Sequence, residues 1–243
     1  MKKSEYSKGV LEQFQLEYGQ ACGASYIADG LKCHKGVINR ELQDKLKDGY
    51  PFASGGFSDV YDIDGLVVKV QEEGDLADTM REMKLQNIAA DAGLAPKAYD
   101  VKQVGNDVLS TQDRVPKGFK SASIEPEMFE LLPKPMQDAG GKLYADLLKA
   151  GVVHKDFHTG NWFVNADGKG MAIDFGIANT LKDANMKQLV YAAQRLEPVL
   201  RGTKMGARFE KMFNKYDPGT DWEENGPFAQ ELRTLLPQVA DSL

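Results

Sequence analysis

A lysine lies inside an apolar run, Leu66-Val67-Val68-Lys69-Val70, and no other feature restricts the fold of this 243-residue sequence as much. The run has strand composition. Ahead of it, Val60-Tyr61-Asp62-Ile63 matches it across Asp64-Gly65, a two-residue hairpin signal. An amino group on an interior strand loses hydration unless something negative meets it. The periodicity predicts a helix over Asp75 to Ala92, with Leu76, Met80 and Met83 at turn spacing, Asp75 as N-cap, and Gly93 then Pro96 as the stop. That helix offers Glu82 as the expected partner of Lys69, whereas Glu72 and Glu73 follow the strand too closely. Val101 to Val115 reads as a second hairpin turning at Gly105-Asn106.

The pattern then changes from strand to helix. A polar, proline-containing passage runs to about Pro135, and Lys142 to Ala150 ends a helix with Leu143 and Leu147 on one face and Gly151 as its cap. Val152-Val153 leads into a polar loop. Trp162-Phe163-Val164 and Met171-Ala172-Ile173 form short strands joined by residues 166–170. After Asp183 the chain is helical, with Met186, Leu189, Ala193, Leu196 and Leu200 on one stripe. At the other end, residues 1–48 also read as helical, through Val10, Leu11 and Phe14 and then Ile38, Leu42 and Leu46, before Gly49-Tyr50-Pro51 breaks the pattern. This segment receives no role. The tail from Tyr216 to Leu243 matches no motif, and Trp222 within it reads as a buried anchor.

Composition removes several classes of function. A hydrophobic fraction of 42% with 27% charged residues is that of an ordinary globular protein, neither a disordered chain nor a membrane bundle. A net charge of −6 has the wrong sign for general binding along a phosphate backbone, and no basic run is interleaved with the dispersed aromatics. No nucleic-acid partner is expected. Met1-Lys2-Lys3-Ser4-Glu5-Tyr6 has no apolar stretch behind its basic residues, so no membrane partner is expected either. Cys22 and Cys33 are too few for a disulfide scaffold, and Cys33-His34 is too small a ligand set for zinc. The expectation is free thiols in a reducing compartment, the cytoplasm.

The segment richest in chemistry is His154-Lys155-Asp156-Phe157-His158-Thr159-Gly160-Asn161, followed by Asp174-Phe175-Gly176. Moving a phosphoryl group from ATP to a hydroxyl calls for a carboxylate near the attacking oxygen and for oxygen ligands to magnesium. An Asp, an Asn five residues later and then Asp-Phe-Gly is a signature of that chemistry, and Asp156, Asn161 and Asp174 fit it. A second, independent signal is Ala53-Ser54-Gly55-Gly56-Phe57-Ser58, where glycines between strands let backbone N–H groups approach phosphate oxygens. Lys69 on the next strand adds a positive charge.

On these motifs the sequence resembles the protein-kinase-like superfamily from about Phe52 to Ala178. The resemblance implies an α+β, bilobal fold: a small antiparallel-sheet-plus-helix lobe and a reduced, mainly helical lobe, with ATP and Mg in the cleft. It implies that Gly55, Gly56, Phe57 and Ser58 cover the nucleotide, that Lys69 anchors the phosphates, and that Glu82 pairs with Lys69. Asp156 would be the catalytic base, Asn161 and Asp174 the magnesium ligands, and the backbone near Asp113 and Val115 would meet adenine. The expected organisation is a helical extension over 1–49, a small lobe over 50–115 and a large lobe over 116–243.

The sequence also departs from the family pattern. Ala53 and Ser58 stand at glycine positions of the loop, Lys155 replaces a frequent arginine, no Ala-Pro-Glu follows Asp174, and only 69 residues come after it. His158 resembles the histidine of aminoglycoside and choline kinases. Those families insert helices ahead of the catalytic loop, whereas only 39 positions separate Val115 from His154. The implied function is a compact serine/threonine protein kinase of the bacteriophage or bacterial-effector type, acting on a protein substrate. The alternatives are a small-molecule kinase and a nucleotide-binding pseudokinase scaffold. For His158, a structural hydrogen bond and a contact to the transferred phosphate are both open.

Overall fold

The computed structural model describes residues 38–55, 58–122, 132–216, 223 and 226–243. The expectations for Val10, Leu11, Phe14, both cysteines, Gly56, Phe57 and Trp222 lie outside the described residues. The chain divides into two compact units: one holds the described residues up to Arg81 plus Ala98–Arg114, the other Glu82–Lys97 plus everything from Val115 on.

The first unit is an antiparallel sheet. Its strands are β1 (Ala53–Ser54), β2 (Asp59–Ile63), β3 (Leu66–Gln71), β4 (Ala98–Val104) and β5 (Asp107–Asp113), in the order β1-β2-β3-β5-β4. Asp64 and Gly65 take left-handed φ of 53° and 86°, the conformation a two-residue turn needs to match the twist of its strands. That turn sets the register, so Lys69 lies on the central strand opposite Val60 in β2 and Ser110 in β5. The second hairpin closes at Gly105, φ 65°.

Helix α1 (Arg40–Asp48) belongs to this unit. Asn39 caps it by accepting the Leu42 N–H at 2.9 Å. Ile38 and Leu42 form a small core with Val68 and Leu109, so the described end of the N-terminal segment docks on the sheet. Helix α2 (Leu76–Asp91) runs from one unit into the other. Asp75 Oδ1 caps it by accepting from Ala77 and Asp78 N–H groups at 2.8 and 3.1 Å, and Gly93 ends it at φ 73°.

The second unit is mainly helical. It contains β6 (Lys120–Ser121), α3 (Lys134–Lys149), β7 (Val152–Val153), β8 (Trp162–Val164), β9 (Gly170–Ala172), β10 (Asn179–Thr180), α4 (Met186–Leu200), α5 (Lys204–Lys215) and α6 (Pro227–Leu235). Helix α3 begins at Lys134, where the sequence suggested loop. Pro133 and Pro135 mark a helix start here, because a first-turn N–H has no partner within the helix to lose. The expected stripe of α4 is buried along its length, and Asn185 with Gln188 forms a capping box at its start. The architecture is α+β, strand-rich early and helical late, as expected for a kinase-like chain. Among the described residues no helix is long and apolar enough to cross a membrane.

Candidate active site

In the second unit the polar loop after β7 is built by local hydrogen bonds. A single 3-10 turn, Thr159–Asn161, follows it and feeds β8. His158 caps the turn, its Nδ1 accepting the Gly160 N–H at 3.1 Å. A Cβ at position 160 would lie 2.9 Å from that ring, so a larger residue there would push the imidazole aside. With Nδ1 accepting, the remaining proton belongs on Nε2, which lies 3.7 Å from Asp156 Oδ2. Of the two roles open for His158, the structure shows the structural hydrogen bond.

The same turn brings Asn161 back to Asp156. Asn161 Nδ2 donates to the Asp156 carbonyl at 3.0 Å and to Asp156 Oδ2 at 3.1 Å. Both amide protons are thus spent on Asp156, and what the side chain has left to offer is its carbonyl oxygen, the hard donor magnesium takes.

Asp174 is tied to this loop through its neighbour. Ile173 donates its N–H to the Asn161 carbonyl at 2.9 Å, and its own carbonyl accepts from His154 Nε2 at 2.8 Å. Burial holds the His154 imidazole below its ordinary pKa, outweighing the Ile173 carbonyl and the charges of Asp174 and Asp156, which raise it. His154 is therefore a neutral strut. Asp174 itself is exposed and adopts φ 61°, a left-handed conformation that costs a non-glycine residue energy. Asp174 Oδ1 and Glu82 Oε2 each lie 3.6 Å from where a Cβ on Gly176 would be. Glu82 is 6% exposed, so it is not a solvated helix-face residue.

A sequence regularity underlies this placement. Asp156, Asn161 and Asp174 are each followed by an aromatic, Phe157, Trp162 and Phe175, and all three rings are buried. Phe157 stacks on Trp162 with centroids 5.9 Å apart, meets Tyr144 edge-on at 4.8 Å, and faces His154, which in turn contacts Phe175 at 4.8 Å. One aromatic cluster thus holds the residue behind each polar group.

The remaining candidates lie in the first unit, apart from Val115. Lys69 is half-buried in β3. Gly55 donates its N–H to the Ser58 carbonyl at 2.9 Å. Asp113 ends β5, its Oδ2 accepting from Tyr99 Oη at 2.7 Å, and Val115 follows as a half-buried residue of the second unit. Sequence reasoning missed Tyr191, whose Oη accepts the Phe157 N–H at 3.1 Å. No local signal could have found a contact spanning 34 residues.

Among the described residues no group of three or more His, Cys, Asp and Glu side chains is gathered as a metal site. The Asn161 carbonyl and the Asp174 carboxylate are each a hard oxygen donor of the kind magnesium takes, an ion that keeps several waters and takes phosphate oxygens for the rest. A groove of about 490 Å³ on α5 and α6, lined by Arg208, Lys211 and Lys215 among others, contains none of the residues singled out.

No curated protein matches the chain. Residues 134–218, from α3 through α5, match the model of the ABC1 atypical kinase-like domain. The match covers about a third of the chain and includes Asp156, His158, Asn161 and Asp174, so it supports the protein-kinase-like superfamily for the unit that carries them.

Proposed function

We propose that this chain is an ATP- and magnesium-dependent phosphotransferase that moves the γ-phosphoryl group to a serine or threonine hydroxyl of a protein. The observation that carries the reading is the side-chain bond from Asn161 to Asp156, which fixes a carboxylate beside an oxygen donor suited to magnesium. Asp156 orients the acceptor hydroxyl and finally takes its proton. Asn161 Oδ1 and the Asp174 carboxylate hold the metal, which when bound neutralises charge on the β- and γ-phosphates. Lys69 and the loop around Gly55 and Ser58 are assigned to the phosphates, Glu82 to fixing a cationic group, and the backbone near Asp113 and Val115 to adenine. A protein acceptor is favoured because the described chain between Val115 and His154 holds two two-residue strands, β6 and β7, and one helix, α3, with no further described helix to enclose a small alcohol.

The test is incubation of the purified chain with γ-labelled ATP and magnesium, alone and with a protein extract, beside Asp156→Ala and Asp174→Asn. Asparagine tolerates left-handed φ, so the second variant removes a charge without disturbing the backbone. Label on protein that both variants abolish is the expected result. ATP consumed only when small alcohols are supplied would replace the acceptor, and absence of turnover would make the chain a nucleotide-binding scaffold.

A further inference from the structure

The peptide unit joining Asp156 to Phe157 is held at both ends. Its carbonyl oxygen accepts from Asn161 Nδ2 at 3.0 Å and from the His158 N–H at 3.0 Å. Its N–H donates to Tyr191 Oη at 3.1 Å. The first two bonds come from within the loop itself. The third comes from α4, an element whose apolar stripe is buried in the main core of the second unit. The orientation of this plane sets ψ of Asp156, and with it the direction in which the carboxylate leaves the backbone. The Tyr191 ring is steadied in turn by Arg195, whose Cζ lies 4.8 Å from the ring centroid one helical turn along.

We propose that Tyr191 is a positioning residue for Asp156: its hydroxyl locks the 156–157 peptide plane to α4 and so keeps the Asp156 carboxylate on the acceptor hydroxyl. The inference rests on the phosphotransferase reading above. Neither the aromatic cluster nor Asn161 can substitute, since the cluster grips the Phe157 side chain and Asn161 grips only the carbonyl end. Without the Tyr191 oxygen the N–H loses its acceptor, and the plane can tilt by the fraction of an ångström that matters for a reacting group.

Tyr191→Phe removes that oxygen and keeps the ring, its packing and the Arg195 contact. The expected result is a fall in kcat of about tenfold with KM for ATP within twofold of the unaltered chain, together with about tenfold faster hydrogen exchange at the Phe157 amide. The urea midpoint should move little. Three results would overturn the proposal. Unchanged kcat in Tyr191→Phe, with Asp156→Ala inactive in the same assay, removes the positioning role and leaves the phosphotransferase reading standing. Unchanged exchange at Phe157 shows that the bond is not made in solution. Loss of turnover in the unaltered chain overturns both readings, and is told apart from the first two because it appears before any substitution is made.

Discussion

The two units secure their candidate residues in opposite ways. In the second, Asp156, Asn161 and Asp174 each precede a ring packed in a continuous core that also takes in Tyr144 and Phe228. In the first, Ile38, Leu42, Val68 and Leu109 form a small separate core, Val108 is buried as well, and most residues of β2 and β3 are only half-buried. The comparison shows what each kind of support does. Side-chain packing fixes a rotamer and a backbone direction together, which suits groups that must present oxygens at set positions. A ladder of backbone hydrogen bonds fixes register, which is enough to keep Lys69 central, but it leaves the surrounding loops thinly supported.

The largest expected effect tests the deeper core. Trp162→Ala empties a site with no solvent exposure and removes the ring stacked on Phe157, so the loss should be about 3–5 kcal/mol in urea unfolding. Leu109→Ala makes the matching change in the shallow core, 4% exposed, where half-buried neighbours can collapse onto the gap. Its cost should fall near the lower end for such truncations, about 2 kcal/mol. Equal losses from the two would break the comparison. Activity sharpens it: Trp162→Ala in a chain still folded at low temperature should lose turnover, because Asn161 immediately precedes that ring.

A smaller effect concerns the turn that sets the register of Lys69. Gly65 has φ 86°, and a side chain there meets open space but an unfavourable backbone, so Gly65→Ala should cost about 1 kcal/mol by the same unfolding measurement. A loss well above that would mean the hairpin carries more of the first unit than its exposed turn suggests.

What the sequence revealed follows the same division. Asp64-Gly65 and Gly105-Asn106 announce their hairpins because turn chemistry is local, and so do Asp75 and Gly93 at the ends of α2. The spacing of Asp156, Asn161 and Asp174 is legible because each contact closes within a few residues or across one hairpin. Helix α3 starts earlier than its apolar spacing suggests, because Pro135, which breaks a helix in its interior, stands here in the first turn. Helix α5 carries Met205, Phe209 and Met212, and α6 carries Phe228, Leu232 and Leu235, stripes that periodicity could have separated. Tyr191 was beyond reach, since its partner is set by how α4 packs and by nothing in its own neighbourhood.

The smallest effect tests how the first unit holds α1 where apolar burial is thin. Asp100 Oδ2 accepts the Ile38 N–H at 3.2 Å while Lys102 Nζ donates to the Ile38 carbonyl at 3.3 Å, so one residue ahead of the helix is clipped at both backbone groups. Burial raises the Asp100 carboxyl above its ordinary value, outweighing the N–H groups of Ile38 and Val101 and the charge of Lys102, which lower it. The folded chain therefore keeps this proton to higher pH than the unfolded chain does. Ionised Asp100 costs stability at neutral pH, and the cost is relieved as pH falls through the raised native value toward the ordinary one near about 3.9. Asp100→Asn keeps an oxygen for Ile38 and removes the charge. Its urea midpoint should exceed that of the unaltered chain at pH 7, with the advantage shrinking as pH approaches 4. A lower midpoint at pH 7 would show that attraction to Lys102 outweighs the burial of the charge, and that α1 is held to the sheet by an ion pair rather than by a hydrogen-bonded clip.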